Sequence, residues 1–187
     1  APDPSSKDIS TVGGNIAMNA GGLLCAKYGV TREAVLALTV VLADGRLISV
    51  GHRTVKGVTG YDLCALMIGS EGTLGVIVEC TLALRPVVTG PRPVVAASFP
   101  SVIAASAAAS AVTAEGLTPA LLELMDGPTV KCVEQLRGRR IGPAGSSFLL
   151  AQTDGPEADE VAGRIAAIFE AAGGEVRTAE DEAEADE

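Results

Sequence analysis

Two glycine-rich stretches could do chemistry with backbone alone. The first, TVGGNIAMNAGG from Thr11 to Gly22, carries two Gly-Gly pairs and two asparagines. The second, GSEGTLG, runs from Gly69 to Gly75, and a small-residue element, DPSS from Asp3, precedes both. Backbone N–H groups that converge, above all where a helix begins, hold phosphate groups, and glycine lets a cofactor lie directly against the chain. Gly13, Gly14 and Asn15 are placed for that work. A structural reading competes, in which each pair serves only tight turns and close packing. It weakens as several such elements collect in one domain.

The common nucleotide motifs do not fit these stretches. GSEGTLG spaces its glycines as GxxGxxG rather than GxGxxG, and no G-x-x-x-x-G-K-[ST] occurs. Other chemistry is sparsely supplied. Cys25, Cys64, Cys80 and Cys132 lie far apart without a CxxC pair, which argues against zinc or a redox motif and for small buried thiols. The one histidine, His52, reads as a surface loop residue. Tyr28 and Tyr61 read as part-buried rings with bonded hydroxyls, and Arg53 and Lys56 are open between meeting an anionic substrate or phosphate and being solvated loop charges. Glu123 is open between a cleft-facing role and none; Asp126 is open between that and capping the helix that starts near Pro128.

Composition narrows the partners. The chain has 187 residues, 48% of them apolar and 3% aromatic, with a formal net charge of −9. So few rings cannot build a base-stacking surface, and so acidic a chain has no field for nucleic acid or anionic membranes. No apolar run reaches the ~20 residues of a membrane-spanning helix. The expectation is a cytoplasmic protein whose partners are small molecules or proteins, and the start at Ala1 without Met suits a piece of something longer.

The elements that must position the glycines read as follows. GGNIAMNAGG is one short helix that stops at its second glycine pair. VLALTVVLADGRLISVG is a β-hairpin with a tight primed turn at Asp44-Gly45. Asp62 caps a helix, LCALMIG, with Leu63, Leu66 and Met67 on one side. A strand from about Leu74 to Leu84 alternates Ile77, Glu79 and Thr81 against Val76, Val78, Cys80 and Leu82, so that one face is the more buried. Prolines at 86, 91 and 93 mark a boundary between a domain of residues 1–90 and one of 91–187. Beyond it, strands PVVAASF, ALLELMD and SSFLLAQTD alternate with three helices, which suits a ferredoxin-like or a doubly wound sheet. The acidic end AEDEAEADE reads as solvated.

The blocks DPSS, TVGGNIAMNAGGLLCAKYGVTREAVLALTVVLADG, TGYDL and GSEGTLGVIVECTLAL agree in order and spacing with the FAD-linked oxidases. From Asp3 to Leu84 the chain resembles the second half of their PCMH-type FAD-binding domain. The subgroup it is most similar to contains the glycolate oxidase flavoprotein subunit, D-lactate dehydrogenases and D-2-hydroxyglutarate dehydrogenases. The remainder, with LELMD, resembles the first part of their α+β, ferredoxin-like cap domain.

That resemblance implies an α+β fold and FAD held non-covalently. Pro4, Ser5, Gly13, Gly14, Asn15, Gly21 and Gly22 would line the flavin and pyrophosphate, and Glu71, Gly75 and Ile77 would border the cofactor from the other element. It implies an oxidoreductase that moves a hydride from a D-2-hydroxy acid to FAD, with an electron-acceptor protein or subunit as partner. The family's preceding pyrophosphate loop and its histidine-bearing metal and substrate site have no counterpart in this sequence, and no residue stands out as the base. The chain is therefore expected to be a fragment that is inactive alone. Two rivals are a non-catalytic binding module on the same fold and a flavoenzyme of that fold acting on another alcohol.

Overall fold

The computed structural model describes residues 3–179; the acidic end from 180 onward lies outside them. Residues 1–86 and 87–187 form two compact units.

The first unit opens with a turn in which the Lys7 N–H donates to Pro4 O at 2.8 Å. Helix α1 (Val12–Met18) follows. Thr11 caps it by accepting the Gly14 N–H at 3.0 Å, and Asn19 closes it in the left-handed region at φ 48°. Helix α1 thus ends ahead of the second glycine pair, because asparagine tolerates the conformation that a helix end requires. Two single-turn helices, α2 (Cys25–Tyr28) and α3 (Thr31–Ala34), lead into strand β1 (Val35–Val41). Strands β2 (Leu47–Gly51) and β3 (Val76–Leu82) pair antiparallel on either side of β1.

The hairpin turn differs from the primed form. The Gly45 N–H closes on Leu42 O at 2.9 Å, and of the turn residues only Gly45 has positive φ, at 84°. A primed two-residue turn puts positive φ on its central residues, whereas here the left-handed residue comes last, as in a longer loop with a glycine bulge. The Asp44 carboxylate supports it by accepting from the Arg46 N–H at 3.1 Å.

Helix α4 (Leu63–Met67) is capped by Asp62, which accepts the Ala65 N–H at 2.8 Å. Its buried face is Cys64 and Met67; Leu63 and Leu66 point outward, so the expected apolar side is rotated. Ile16 from α1, Leu38 and Val40 from β1, and Val50, Cys64, Met67 and Ile68 make this unit's core. The alternation expected in β3 also breaks. Thr39 pairs with Glu79 but Val40 pairs with Ile77, so Val78 is an extra residue. The bulge lets Ile77 and Leu82 both pack on the core while Val76 and Val78 stay exposed.

The second unit is a four-stranded antiparallel sheet made of β4 (Val94–Phe99), β5 (Leu121–Met125), β6 (Ser147–Gln152) and β7 (Glu175–Ala179), in the order β5-β6-β4-β7. With α5 (Val102–Ala114) after β4 and α7 (Ala158–Ala171) before β7, this is the split βαβ arrangement of ferredoxin-like folds. Helix α6 (Gly127–Arg137) is inserted in the chain between β5 and β6. Antiparallel pairing throughout rules out the doubly wound alternative. Strand β7 was not legible: EVRTA is short and mostly polar, and it pairs on one side only.

One face of this sheet carries Val95, Ala97, Phe99, Leu149 and Ala151. Ala105, Ala108 and Val112 of α5 and Ala162, Ile165 and Phe169 of α7 cover it. Alanine at helical spacing lets α5 approach closely, and the Phe99 and Phe169 rings meet edge to face at 5.8 Å.

Candidate functional site

GSEGTLG and DPSS are both tied to the glycine stretch that contains α1. The Gly69 N–H donates to Ile16 O at 3.0 Å, which also accepts the Asn19 N–H at 3.1 Å, and the Glu71 N–H donates to Ala17 O at 2.9 Å, so GSEGTLG is tied to the helix's last turn. The DPSS element is tied to the far side of the glycine stretch, where the Asp3 carboxylate accepts the Leu24 N–H at 3.0 Å. Asn19 is the residue that sequence reasoning missed. Its side chain accepts the Arg32 N–H at 3.0 Å while its backbone caps α1, and a Cβ added to Gly69 would meet its own Cβ at 3.1 Å. The available signal was an asparagine just after a helical run.

The glycines then sort into two kinds. A Cβ at Gly22 would overlap the Asp3 main chain, and one at Gly75 would come within 2.8 Å of Val41 O, so both are required by the chain's own packing. Gly21 meets only ordinary contacts, the nearest being Val30 at 3.4 Å. Gly13 and Gly14 are different. They sit inside a helix with negative φ, a Cβ at Gly13 meets nothing within 4 Å, and one at Gly14 meets only the Thr11 hydroxyl at 3.2 Å. Each glycine in a helix costs roughly 0.5–1 kcal/mol relative to alanine. At Gly14 a Cβ would press on the Thr11 hydroxyl that caps the helix, whereas among the described residues nothing requires Gly13 to be bare, and its open side suits a group lying against the helix from outside.

The remaining expected cofactor positions differ in exposure. Ser5 is exposed, Asn15 is half-buried, and Pro4 is buried. The Ile77 side chain packs against the core, which leaves only its backbone to border a ligand. Glu71 is exposed with φ 54°.

Other candidates fall away from chemistry. His52 is exposed, with Nδ1 at 2.7 Å from Thr54 O and its ring folded against Gly57. Tyr61 is 94% exposed, against the expectation of a part-buried ring, because it lies in a loop that makes no core contact. The Tyr28 ring is flanked by Lys27 Nζ and Arg85 Cζ, each 5.6 Å from its centre. Arg53 and Lys56 are exposed. Cys80 and Cys132 are exposed rather than buried, whereas Cys64 is buried and its thiol pKa is raised, first by burial and then by the neighbouring Asp62 charge. Asp126 caps α6: its carboxylate accepts the Thr129 N–H at 2.9 Å, and its pKa is lowered by hydrogen bonds from Thr129. Glu123 is half-buried on β5. Among the described residues no group of His, Cys, Asp and Glu could hold a metal ion. Nor is any helix of theirs long and apolar enough to cross a membrane.

Comparison with known proteins gives these features a common frame. Residues 1–51 match the FAD binding domain family, and residues 90–187 match the C-terminal domain of FAD linked oxidases. The chain belongs to the FAD-linked oxidase family, and FAD is its cofactor. It is 43% identical to glycolate oxidase subunit GlcD of Bacillus subtilis, over 83% of this chain and 33% of that protein. It is 40% identical to a D-lactate dehydrogenase of Archaeoglobus fulgidus, over 88% of this chain and 37% of that protein. A solved structure of alkyldihydroxyacetonephosphate synthase superimposes with a TM-score of 0.74 at 20% identity, over 98% of this chain and 38% of that one, which shows the shared fold. The chain thus spans about a third of the length of the curated relatives it matches.

FAD fits the residues present. A dinucleotide pyrophosphate needs main chain it can approach without side chains, and the helix backbone at Gly13, with nothing within 4 Å of an added Cβ, is open in that way.

Proposed function

We propose that the intact protein is a FAD-dependent dehydrogenase or oxidase of a D-2-hydroxy acid of the glycolate or D-lactate type. The observation that carries the cofactor half of this reading is Gly13, bare in a helix where no neighbour among the described residues demands it, beside the equally bare Gly14. The substrate half is supported by the names of relatives at 40% identity or more, glycolate oxidase subunit and D-lactate dehydrogenase. FAD, when bound, supplies the hydride acceptor.

In this reading the residues divide their work. Gly13, Gly14 and Asn15, with Ser5 and Gly21 beside them, form the surface against which the cofactor lies. Glu71 and the backbone of Ile77 border it. Pro4, Gly22 and Gly75 act indirectly, by holding DPSS, the helix and the sheet in place. The description of one relative as a subunit supports a protein partner that takes up the electrons.

The test is a flavin titration of the intact protein, followed by anaerobic addition of glycolate, D-lactate and L-lactate. Yellow colour that bleaches with a D-2-hydroxy acid or glycolate, and not with L-lactate, is the expected result. A protein that takes up no FAD would sink the cofactor assignment. One that binds FAD but keeps it oxidised with every hydroxy acid would sink the substrate assignment alone.

A further inference from the structure

The loop from His52 to Tyr61, between β2 and α4, is firmly tied but carries the wrong side chains for water. The His52 N–H donates to Leu36 O at 2.9 Å, its Nδ1 lies 2.7 Å from Thr54 O, and the Thr54 hydroxyl donates to Lys56 O at 2.8 Å. The His52 ring occupies the space that a side chain at Gly57 would need, and Asp62 ends the loop by capping α4. Yet Val55, Val58 and Tyr61, spaced three residues apart, are 103%, 95% and 94% exposed. Loops adapted to solvent are built from Gly, Pro, Asn, Asp and Ser. Single exposed apolar residues are ordinary, but a group of them in one loop marks a surface that something covers.

The cations of this loop are equally unused. Among the described residues the Arg53 and Lys56 side chains make no hydrogen bond or ion pair, and the Asp62 carboxylate is committed to the Ala65 N–H. Residues 52–61 contain no carboxylate of their own. A valine and tyrosine surface edged by two cations fits an apolar counterpart that brings carboxylates. Size decides where that counterpart comes from. A stable interface with a separate protein takes roughly 20–30 residues a side, more than this one loop supplies. A contact within one polypeptide avoids the translational and rotational cost of association, so a small surface suffices. The chain spans 33% and 37% of two relatives it matches, so most of the polypeptide that accompanies this loop in those proteins has no counterpart in residues 1–187. We infer that the loop 52–61 is a docking surface for a segment of the intact polypeptide outside residues 1–187. Val55, Val58 and Tyr61 form its apolar centre, and Arg53 and Lys56 pair with that segment's carboxylates.

The experiment uses the intact protein over a range of concentrations. In Val58→Cys, maleimide labelling at that position, resolved by peptide mass, is timed in buffer and in guanidinium. A covered position is labelled on the order of tenfold or more slowly in buffer, because reaction waits for local opening. Val58→Asp is the second variant. A side chain that is 95% exposed can be changed at little cost to its own unit. A melting temperature lowered by roughly 2–4 °C or more therefore reads the loss of the covering contact. Lys56→Glu lowers it by less, and more at low salt than at high; equal effects at both salts would overturn the ion pairs. Labelling in buffer at the unfolded rate overturns the docking surface, as does an unchanged melting temperature for Val58→Asp. Protection that appears only as protein concentration rises, or only after FAD or glycolate is added, also overturns it, in favour of a second copy or of a bound ligand.

Discussion

The two units face the same task, covering an apolar sheet, with very different means. In the second, α5 and α7 lie along one face of four strands, and Phe99, Leu149, Ile165 and Phe169 are all but inaccessible. In the first, three strands are covered by α1 and the single turn of α4, and large apolar side chains remain outside, with Val55, Val58 and Tyr61 almost wholly exposed. What holds the first unit is a set of specific ties: Asp3 to Leu24, Asn19 to Arg32, and the Gly69–Glu71 backbone to α1. One unit is stabilised by an area of apolar contact, the other by local hydrogen bonds and close backbone approach. A surface built in the second way stays open for a ligand.

Separating the units is the severest test of that contrast. Residues 87–187 made alone are expected to unfold cooperatively in urea. Residues 1–86 made alone are expected to bind a hydrophobic dye and to melt without a sharp transition, because exposed apolar surface is not offset by a large core. A cooperative, dye-free melt of 1–86 would show that its ties suffice and would break the comparison.

Next in size is Phe169→Ala. Removing a fully buried ring that meets Phe99 edge to face should lower stability by roughly 3–5 kcal/mol, read as a shift of the urea midpoint. FAD affinity at a urea-free temperature should be unaffected, since the ring belongs to the second unit's core. A loss below about 1 kcal/mol would mean that the core relaxes around the gap, and the two units would then differ less than their burial suggests.

These effects also mark where sequence was a sufficient guide. The succession of short apolar runs and alanine-rich stretches found β4, α5 and α7, and in α7 the apolar positions answer to a single buried face. It failed where a residue answers to something else. The Val78 bulge shifts β3 by one position, and no composition signal announces it. The buried side of α4 is set by where β1 and β2 lie rather than by the helix alone. Within the site, the glycine stretches were visible as a pattern, yet their division into fold and ligand was hidden, because it depends on Asp3, Val41 and Asn19, which are distant in sequence.

Gly22→Ala uses that division. Its Cβ would overlap main chain at Asp3, which has no side-chain freedom with which to yield, so stability should fall by about 1–3 kcal/mol as for other overpacked sites. FAD affinity should drop only as far as the DPSS element is displaced. A stable Gly22→Ala protein that fails to bind FAD would move Gly22 from the fold to the cofactor surface.

Gly13→Ala has the smallest expected effect on stability and the opposite sign. Alanine has open space there and a helical φ to suit it, so the apo protein should gain about 0.5–1 kcal/mol from the better helix former. The same methyl group would stand where the cofactor is proposed to touch the backbone, and FAD should bind less tightly in a direct titration. The two glycine sites thus make opposite predictions for one chemical change: at Gly22 the added methyl opposes folding, and at Gly13 it favours folding while opposing the ligand. If Gly13→Ala is more stable and binds FAD unchanged, the bare turn of α1 is not the cofactor surface, and the glycine at that position has no role that this chain's contacts can explain.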